Sequence, residues 1–160
     1  MKETRNYKLQ DLVIVSYLRQ DARISLTQMS RQTRIPVSTI FDKMKHFKET
    51  GLIRKNTSIV SFERLGYNTK ALVFLSASKE ERGQLMDSLK NSSNVNSLFK
   101  VNNGWDFIAE IISPSFTEIE EFLERIEEKV TLTKKEVFYV IEEIKREEFF
   151  SNPKQLYLQG

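Results

Sequence analysis

The sequence contains no cysteine and only one histidine, His46, among its 160 residues. Disulfides and thiolate metal sites are therefore excluded, and a single imidazole cannot form the histidine clusters that hold zinc or iron. The N-terminal residues lack the apolar core of a signal peptide, and no apolar run approaches the roughly 20 residues that span a bilayer. These absences predict a cytoplasmic protein with no metal, no cofactor and no membrane attachment.

Glycine is also scarce, and its five scattered copies form no phosphate-binding loop. Several glutamates between Glu118 and Glu128 raise the question of acid/base catalysis. Carboxylates spread along an amphipathic helix are usually its solvated face, and no nucleophile or metal ligand lies nearby in the sequence. We therefore expect no enzymatic activity and assign no catalytic residue.

The net charge of +3 conceals an uneven distribution. Residues 1–55 carry 12 Lys and Arg against 5 Asp and Glu, a net of +7, whereas the remaining residues carry 13 against 17, a net of −4. A basic N-terminal third joined to an acidic remainder is typical of a nucleic-acid module attached to a second domain. A solvated surface with accidental polarity is the alternative.

The basic third is predicted to contain three helices. The first covers about Lys8 to Arg19. The second begins after the N-cap Ser25, which forms a capping box with Gln28. Ile24 and Met29 are expected to contact each other as a hydrophobic staple at the start of this helix. The third runs from about Pro36 to Thr50 and ends at Gly51, with Leu52 expected to pack on Phe47.

The third helix has two different faces at about 100° per residue. Its apolar arc of roughly 120° holds Val37, Ile40, Phe41, Met44 and Phe47. The opposite arc places short polar groups at its centre and lysines at its edges, as a helix in the major groove requires. The predicted DNA-contacting residues are Arg34, Val37, Ser38, Thr39, Asp42, Lys43, Lys45 and His46. Asp42 suits a cytosine amino group, and the turn before the helix completes a helix-turn-helix. A three-helix domain for protein contacts is the alternative.

The rest of the sequence predicts a strand over about residues 53–60, a connector, and then strand, helix, strand, strand, helix and strand. The Asn103-Gly104 dipeptide predicts a tight hairpin turn. The predicted helices cover about residues 80–91, with Leu85, Met86 and Leu89 inward, and about residues 115–129. The second helix is expected to bury Phe116, Ile119, Phe122, Leu123 and Ile126. This order is the ferredoxin-like split βαβ arrangement of an α+β fold.

The first and last strands of this domain are apolar on both faces, over residues 71–75 and 137–141. The two helices can cover only one face of the sheet, so the other face needs a second cover. A second copy of the sheet is the simplest cover, and we expect a homodimer.

These features resemble the Lrp/AsnC, or feast/famine, transcription regulators of bacteria and archaea. The resemblance extends from Leu9 to about Glu147 and depends on "DARISLTQMSRQTRIPVSTIFDKMKHFKETGLI", "SFERLGYNTKALVFL" and "FKVNNGWDFIAEI". It implies a helix-turn-helix domain over residues 1–52, a strand linker over 53–68, and a ferredoxin-like dimerisation and ligand-sensing domain over 69–148. Residues 149–160 form a tail of unassigned role.

The resemblance also implies double-stranded DNA and a second copy as partners, higher oligomers in some cases, and an amino acid as a common effector. The hairpin departs from the family pattern because glycine has moved one place, to Gly104. The residues predicted to bind an effector are Asn103, Gly104, Trp105 and Asp106: the turn amides would hold a carboxylate, and Asp106 an α-ammonium group. Asn-Gly as a plain turn capped by Asp106 is the alternative.

Two other functions stay open. A non-specific architectural DNA-binding protein would show salt-dependent binding without a preferred sequence. A decarboxylase similar to the siroheme decarboxylases of the same fold would need a His- or Arg-equipped pocket for a tetrapyrrole. The only histidine lies on the predicted recognition helix.

Overall fold

The computed structural model describes residues 7–156, and the chain divides into two compact units. The first combines the residues up to Ile59 with those from Ile144 onward, and the second extends from Val60 to Glu143. The helices of the first unit are α1 (Leu9–Gln20), α2 (Leu26–Thr33), α3 (Val37–Glu49) and α6 (Pro153–Leu156). The elements of the second unit are β1 (Thr69–Ala77), α4 (Arg82–Lys90), β2 (Val95–Lys100), β3 (Phe107–Ser113), α5 (Phe116–Glu127) and β4 (Leu132–Tyr139), preceded by a 3-10 turn at Glu63–Leu65. The limits of the predicted first domain and tail, residues 1 and 160, lie outside the described residues.

The first unit has its own apolar core, formed by Ile14, Met29, Ile35, Ile40 and Phe47. The side-chain oxygen of Ser25 accepts the Gln28 N–H at 3.1 Å, which confirms the Ser25 half of the predicted capping box. Ile24 packs against the same core as the buried Met29, as the staple requires. The local signals in the sequence therefore define the start of α2.

The ends of α3 also follow sequence signals, with two shifts. Pro36 is the N-cap rather than the first helical residue. Gly51 has φ +72 and donates its N–H to the Lys48 carbonyl at 3.1 Å, as expected for a glycine that ends a helix. The Phe47 carbonyl, however, accepts from Ile53, and Ile53 packs on the core where Leu52 was predicted.

The predicted strand over residues 53–60 is wrong for this chain: the segment has no regular secondary structure, and residues 54–60 are exposed. A strand is maintained by hydrogen bonds to a neighbouring strand. No strand occurs within residues 7–59 or 144–156, so residues 53–59 have no described strand partner within the first unit. Composition alone could not reveal that.

The tail belongs to the first unit, where it lies on α1. The Arg19 guanidinium donates to the Glu147 carbonyl at 2.8 Å and to the Phe149 carbonyl at 3.1 Å. It also pairs with the Glu147 carboxylate at 2.8 Å. Arg19 of α1 therefore binds the backbone of residues 147–149, and Pro153 of α6 is buried.

The second unit is an antiparallel four-stranded sheet with the order β2-β3-β1-β4. This order and the βαββαβ succession confirm the ferredoxin-like prediction. The shared core of sheet and helices includes Val73, Leu75, Leu85, Leu89, Ala109, Ile111, Ile119, Phe122, Leu123 and Ile126. The last strand is shorter than the predicted apolar stretch of residues 137–141, because it ends at Tyr139 and Ile141 is fully exposed.

Two helix residues predicted to be inward are exposed instead. Met86 lies about 80° around α4 from the line that Leu85 and Leu89 define, so it points away from the sheet. Phe116 is in the first turn of α5 and is also exposed, and its ring meets Tyr139 edge-on at 4.7 Å. The other four predicted inward residues of α5 are buried.

Candidate nucleic-acid interface

The orientation of α3 is set by its buried residues. Ile40 and Phe47 are completely or almost completely inaccessible, and Met44 is half-buried against the same core. The opposite side of the helix therefore faces solvent. Its exposed polar residues are Ser38, Asp42, Lys45 and His46, while Thr39 is half-buried at the margin.

Two residues predicted to lie in the apolar arc are exposed. Val37 is 41% accessible and Phe41 is 57% accessible. The buried line through Ile40 and Phe47 lies roughly 60–120° away from both around the helix. The core of a three-helix unit contacts only a narrow stripe of α3, and Val37 and Phe41 fall beyond it.

Lys43 is not a free cation on the groove side of α3. Its ammonium group bonds to the Asp11 carboxylate of α1, and the two side chains are only 23% and 11% exposed. The other Asp11 oxygen accepts the Lys8 N–H at 2.9 Å. Burial by itself raises the pKa of Asp11, but the bonds from Lys43 and Lys8 and their positive charges outweigh it and lower the pKa below 3.8. The pair joins α1 to the candidate recognition helix.

Arg34 adopts a left-handed conformation in the turn between α2 and α3, with φ +60. Its N–H donates to the Ser30 carbonyl at 2.8 Å, and its side chain is exposed. The next residue, Ile35, is buried. The turn therefore anchors one side chain in the core and leaves the Arg34 guanidinium exposed next to the start of α3.

The predicted effector hairpin has the expected turn. Asn103 and Gly104 have φ +63 and +87, the signs of a type I′ turn between β2 and β3. The Gly104 carbonyl accepts from the Ser76 hydroxyl and the Lys134 ammonium group, each at 3.3 Å. Trp105 packs edge-on against Phe74 at 5.7 Å.

Asp106 is engaged within the chain. One carboxylate oxygen accepts the Ala77 N–H at 3.1 Å, and the other pairs with Arg82 at 2.6 Å. Its side chain is 13% exposed. The carboxylate therefore fastens the hairpin to the end of β1, and an effector ammonium group would have to compete with Arg82.

The sheet face opposite the two helices is open. Leu72 pairs with Phe138 across β1 and β4, and Phe138 is 54% exposed and meets Phe74 edge-on at 5.4 Å. Phe99 is exposed on the same face. Val73 and Leu75 lie on the other face, under the helices, because successive side chains of a strand alternate between faces. Only alternate residues of the apolar stretches 71–75 and 137–141 are therefore on the open face.

The open face also contains a buried carboxylate that the sequence did not reveal. Glu110 is 5% exposed and accepts from the Asn96 amide at 2.6 Å and the Ser97 hydroxyl at 2.9 Å. Lys70 lies 3.9 Å away. Asp11 was missed for the same reason: a carboxylate on a mostly apolar stretch carries no signal of its partner.

The chain combines a helix-turn-helix unit with a ferredoxin-like unit, and known proteins similar to it are DNA-binding regulators. A family described as winged helix-turn-helix DNA-binding matches residues 9–54. The HTH-type transcriptional regulator FL11 of Pyrococcus furiosus is 25% identical over 116 residues, covering 72% of this chain and 77% of that protein. FL11 of Pyrococcus abyssi is 27% identical over the same length.

Solved structures share the fold over most of the chain. An AsnC family transcriptional regulator from Agrobacterium tumefaciens superposes with a TM-score of 0.79 at 15% identity, over 88% of this chain and 94% of that one. A transcriptional regulator from Neisseria meningitidis, solved as its L-Met complex, gives 0.80 at 17% identity, over 88% and 93%. The resemblance found in the sequence is confirmed: the chain has a helix-turn-helix domain and shares the fold of Lrp/AsnC-type regulators. Within residues 7–156, no helix is long and apolar enough to cross a membrane.

Proposed function

We propose that the chain is a sequence-specific, DNA-binding transcriptional regulator that reads the major groove with α3. The observation that carries the proposal is the exposed polar face of α3, held outward by the burial of Ile40 and Phe47 on its other side. Ser38 and Asp42 are short groups suited to base edges, and Lys45 is an exposed cation beside them. The relatives named above are transcriptional regulators, which supports the same assignment.

Selection of bound sequences from a random pool of duplex DNA tests this proposal. A two-fold dimer should recover a palindrome with half-sites centred roughly 10 bp apart, or a multiple of that. Asp42→Ala should relax the preference at one position by about 1–3 kcal/mol. Asp87→Ala, an exposed aspartate of α4, is the matched control and should leave the preference unchanged.

Binding without any enriched sequence would contradict the proposal and indicate an architectural DNA-binding protein.

Arg34→Gly tests the contribution of the Arg34 charge to DNA binding separately from the backbone conformation of the turn. Glycine adopts φ +60 without strain, so the variant should remain folded while it loses a cation beside the groove. Its affinity should fall equally for all sequences.

We also propose that the open sheet face is the homodimer interface. An exposed apolar face with Leu72, Phe99 and Phe138 is an association site rather than an ordinary solvated surface. The buried Glu110 accepts hydrogen bonds from Asn96 and Ser97 and lies near Lys70, so this face also has a polar cluster. The cluster restricts how two copies of the face can align. Light scattering at micromolar concentration should give twice the mass of the chain.

An amino-acid effector at the hairpin is the third part of the proposal. The Neisseria meningitidis relative was solved with L-Met, and here the turn of Asn103 and Gly104 provides backbone at positive φ for a carboxylate. Trp105 is the single tryptophan and lies beside that turn, so its fluorescence is a direct probe. Titration with each of the twenty amino acids should change it for at least one.

Asp106→Asn should abolish that response if the carboxylate pairs with the ammonium group, because the amide retains an acceptor for Ala77 but has no charge. Arg82→Gln is the informative companion variant. It frees the Asp106 carboxylate and should strengthen the effector response. An undiminished response in Asp106→Asn would place the effector elsewhere.

A further inference from the structure

Val37 and Phe41 form an exposed apolar ridge on α3. They are four residues apart and therefore adjacent on one side of the helix, with 41% and 57% of their surfaces accessible. A phenylalanine in water is unfavourable because its large apolar surface stays hydrated. Neither residue belongs to the core cluster of the first unit, so folding alone does not account for them.

The ridge lies next to the polar face that the proposed function uses. Phe41 is three residues after Ser38 and four before Lys45, the spacings that make neighbours on a helix surface. Lys48, seven residues after Phe41, is exposed and extends the ridge with a positive charge. Any groove that receives Ser38 and Lys45 therefore also receives the ring of Phe41.

Within the major groove, one natural base presents an apolar group. Thymine carries a C5-methyl at the groove edge, and apolar side chains, phenylalanine among them, contact it. The alternative occupant, an apolar protein surface, is less compatible with lysines beside the ridge and with a basic N-terminal third of net charge +7. The charge of this surface complements a polyanion.

We propose that Val37 and Phe41 read thymine methyl groups, so that each half-site carries thymine beside the bases that Ser38 and Asp42 contact. This inference depends on the proposed function, because it needs α3 in the major groove. It adds a specificity determinant that the polar residues cannot supply, because a hydroxyl or carboxylate forms no hydrogen bond with a methyl group.

Deoxyuridine substitution is the test, because it removes only the methyl group from thymine. In the DNA site recovered by selection, each thymine is replaced in turn, and binding of the full chain is measured by fluorescence anisotropy. Burial of one methyl group corresponds to about fourfold in affinity. We expect this loss at one or two positions per half-site, and no loss at the others.

Phe41→Ala should then bind the thymine site about fourfold or more weakly, and should no longer distinguish thymine from deoxyuridine at the affected position. Helical circular dichroism should be retained, because alanine at an exposed helix position favours the helix. Val37→Ala provides a second variant with a smaller loss at the same or the neighbouring thymine.

Three results would overturn the inference. The parent chain binding thymine and deoxyuridine sites equally at all positions would show that no methyl is read, while a recovered palindrome would leave the proposed function intact. A discrimination that survives Phe41→Ala would place methyl recognition elsewhere. A Phe41→Ala variant with unchanged DNA binding but altered mass in light scattering would assign the ridge to protein association.

Discussion

Lys43 and Lys45 are two residues apart on α3, yet their replacement should affect different properties: Lys45 the affinity for DNA, and Lys43 the stability of the fold. Lys45 is exposed, whereas Lys43 is bonded to the Asp11 carboxylate of α1. Both lysines are predicted from the sequence to contact DNA at the edges of the polar arc. Lys43→Met and Lys45→Met are a matched pair that decides whether the ion pair changes that assignment.

The expected magnitudes follow from the environments. A phosphate contact contributes about 0.9 to the slope of log affinity against log salt, so Lys45→Met should flatten the slope by about that amount. Lys43→Met should leave the slope unchanged. It should instead lower the free energy of unfolding by about 1.5–3 kcal/mol, because Asp11 loses a charged hydrogen bond at a site where its side chain is 11% exposed.

The assays are DNA titrations over a range of salt concentrations and urea unfolding of the same variants. Asp11→Asn serves as the partner variant: with Lys43→Met it completes a double-mutant cycle whose interaction energy measures the pair itself. A Lys43→Met variant that flattens the salt slope as much as Lys45→Met does, and that keeps the unfolding free energy of the parent, would contradict this prediction. That result would mean that Lys43 leaves Asp11 to bind phosphate.

Asp11 also predicts an acid-sensitive stability. Because its pKa is lowered in the folded chain, the stability that Asp11 contributes is complete above about pH 3.8, its ordinary pKa, and is lost as the pH falls through the folded pKa. The difference in unfolding free energy between the parent and Asp11→Asn should therefore shrink as the pH is lowered below about 3.8 in urea unfolding. Phe138→Glu should yield monomers in light scattering, because it places a charge in the proposed interface; an unchanged mass would exclude this face. Gly104→Ala should cost about 1 kcal/mol in urea unfolding, because φ is +87 there, and an unchanged stability would contradict the turn. The hydrogen bond to Glu120 raises the pKa of Tyr139 to about 12, and Glu120→Gln should return it toward 10 in an alkaline absorbance titration.

Much of the fold was predictable because its signals are local. Ser25 caps α2, Gly51 ends α3, and Asn103-Gly104 makes the hairpin, and each depends on residues a few positions apart. The βαββαβ order follows from periodicity in the same way. The exposed polar face of α3 was also predictable, since helical spacing alone separates Ser38 and Asp42 from Ile40.

What the sequence by itself determined about this protein is therefore the succession of elements and their capping, because such signals need only neighbours along the chain. Tertiary structure decided the partners of individual side chains. Phe41 is exposed because the core contacts a narrow stripe of α3, Lys43 is engaged because Asp11 of α1 lies beside it, and Asp106 is fastened to Ala77 and Arg82. Residues 53–60 show the same limit, because β-propensity becomes a strand only where another strand offers its hydrogen bonds.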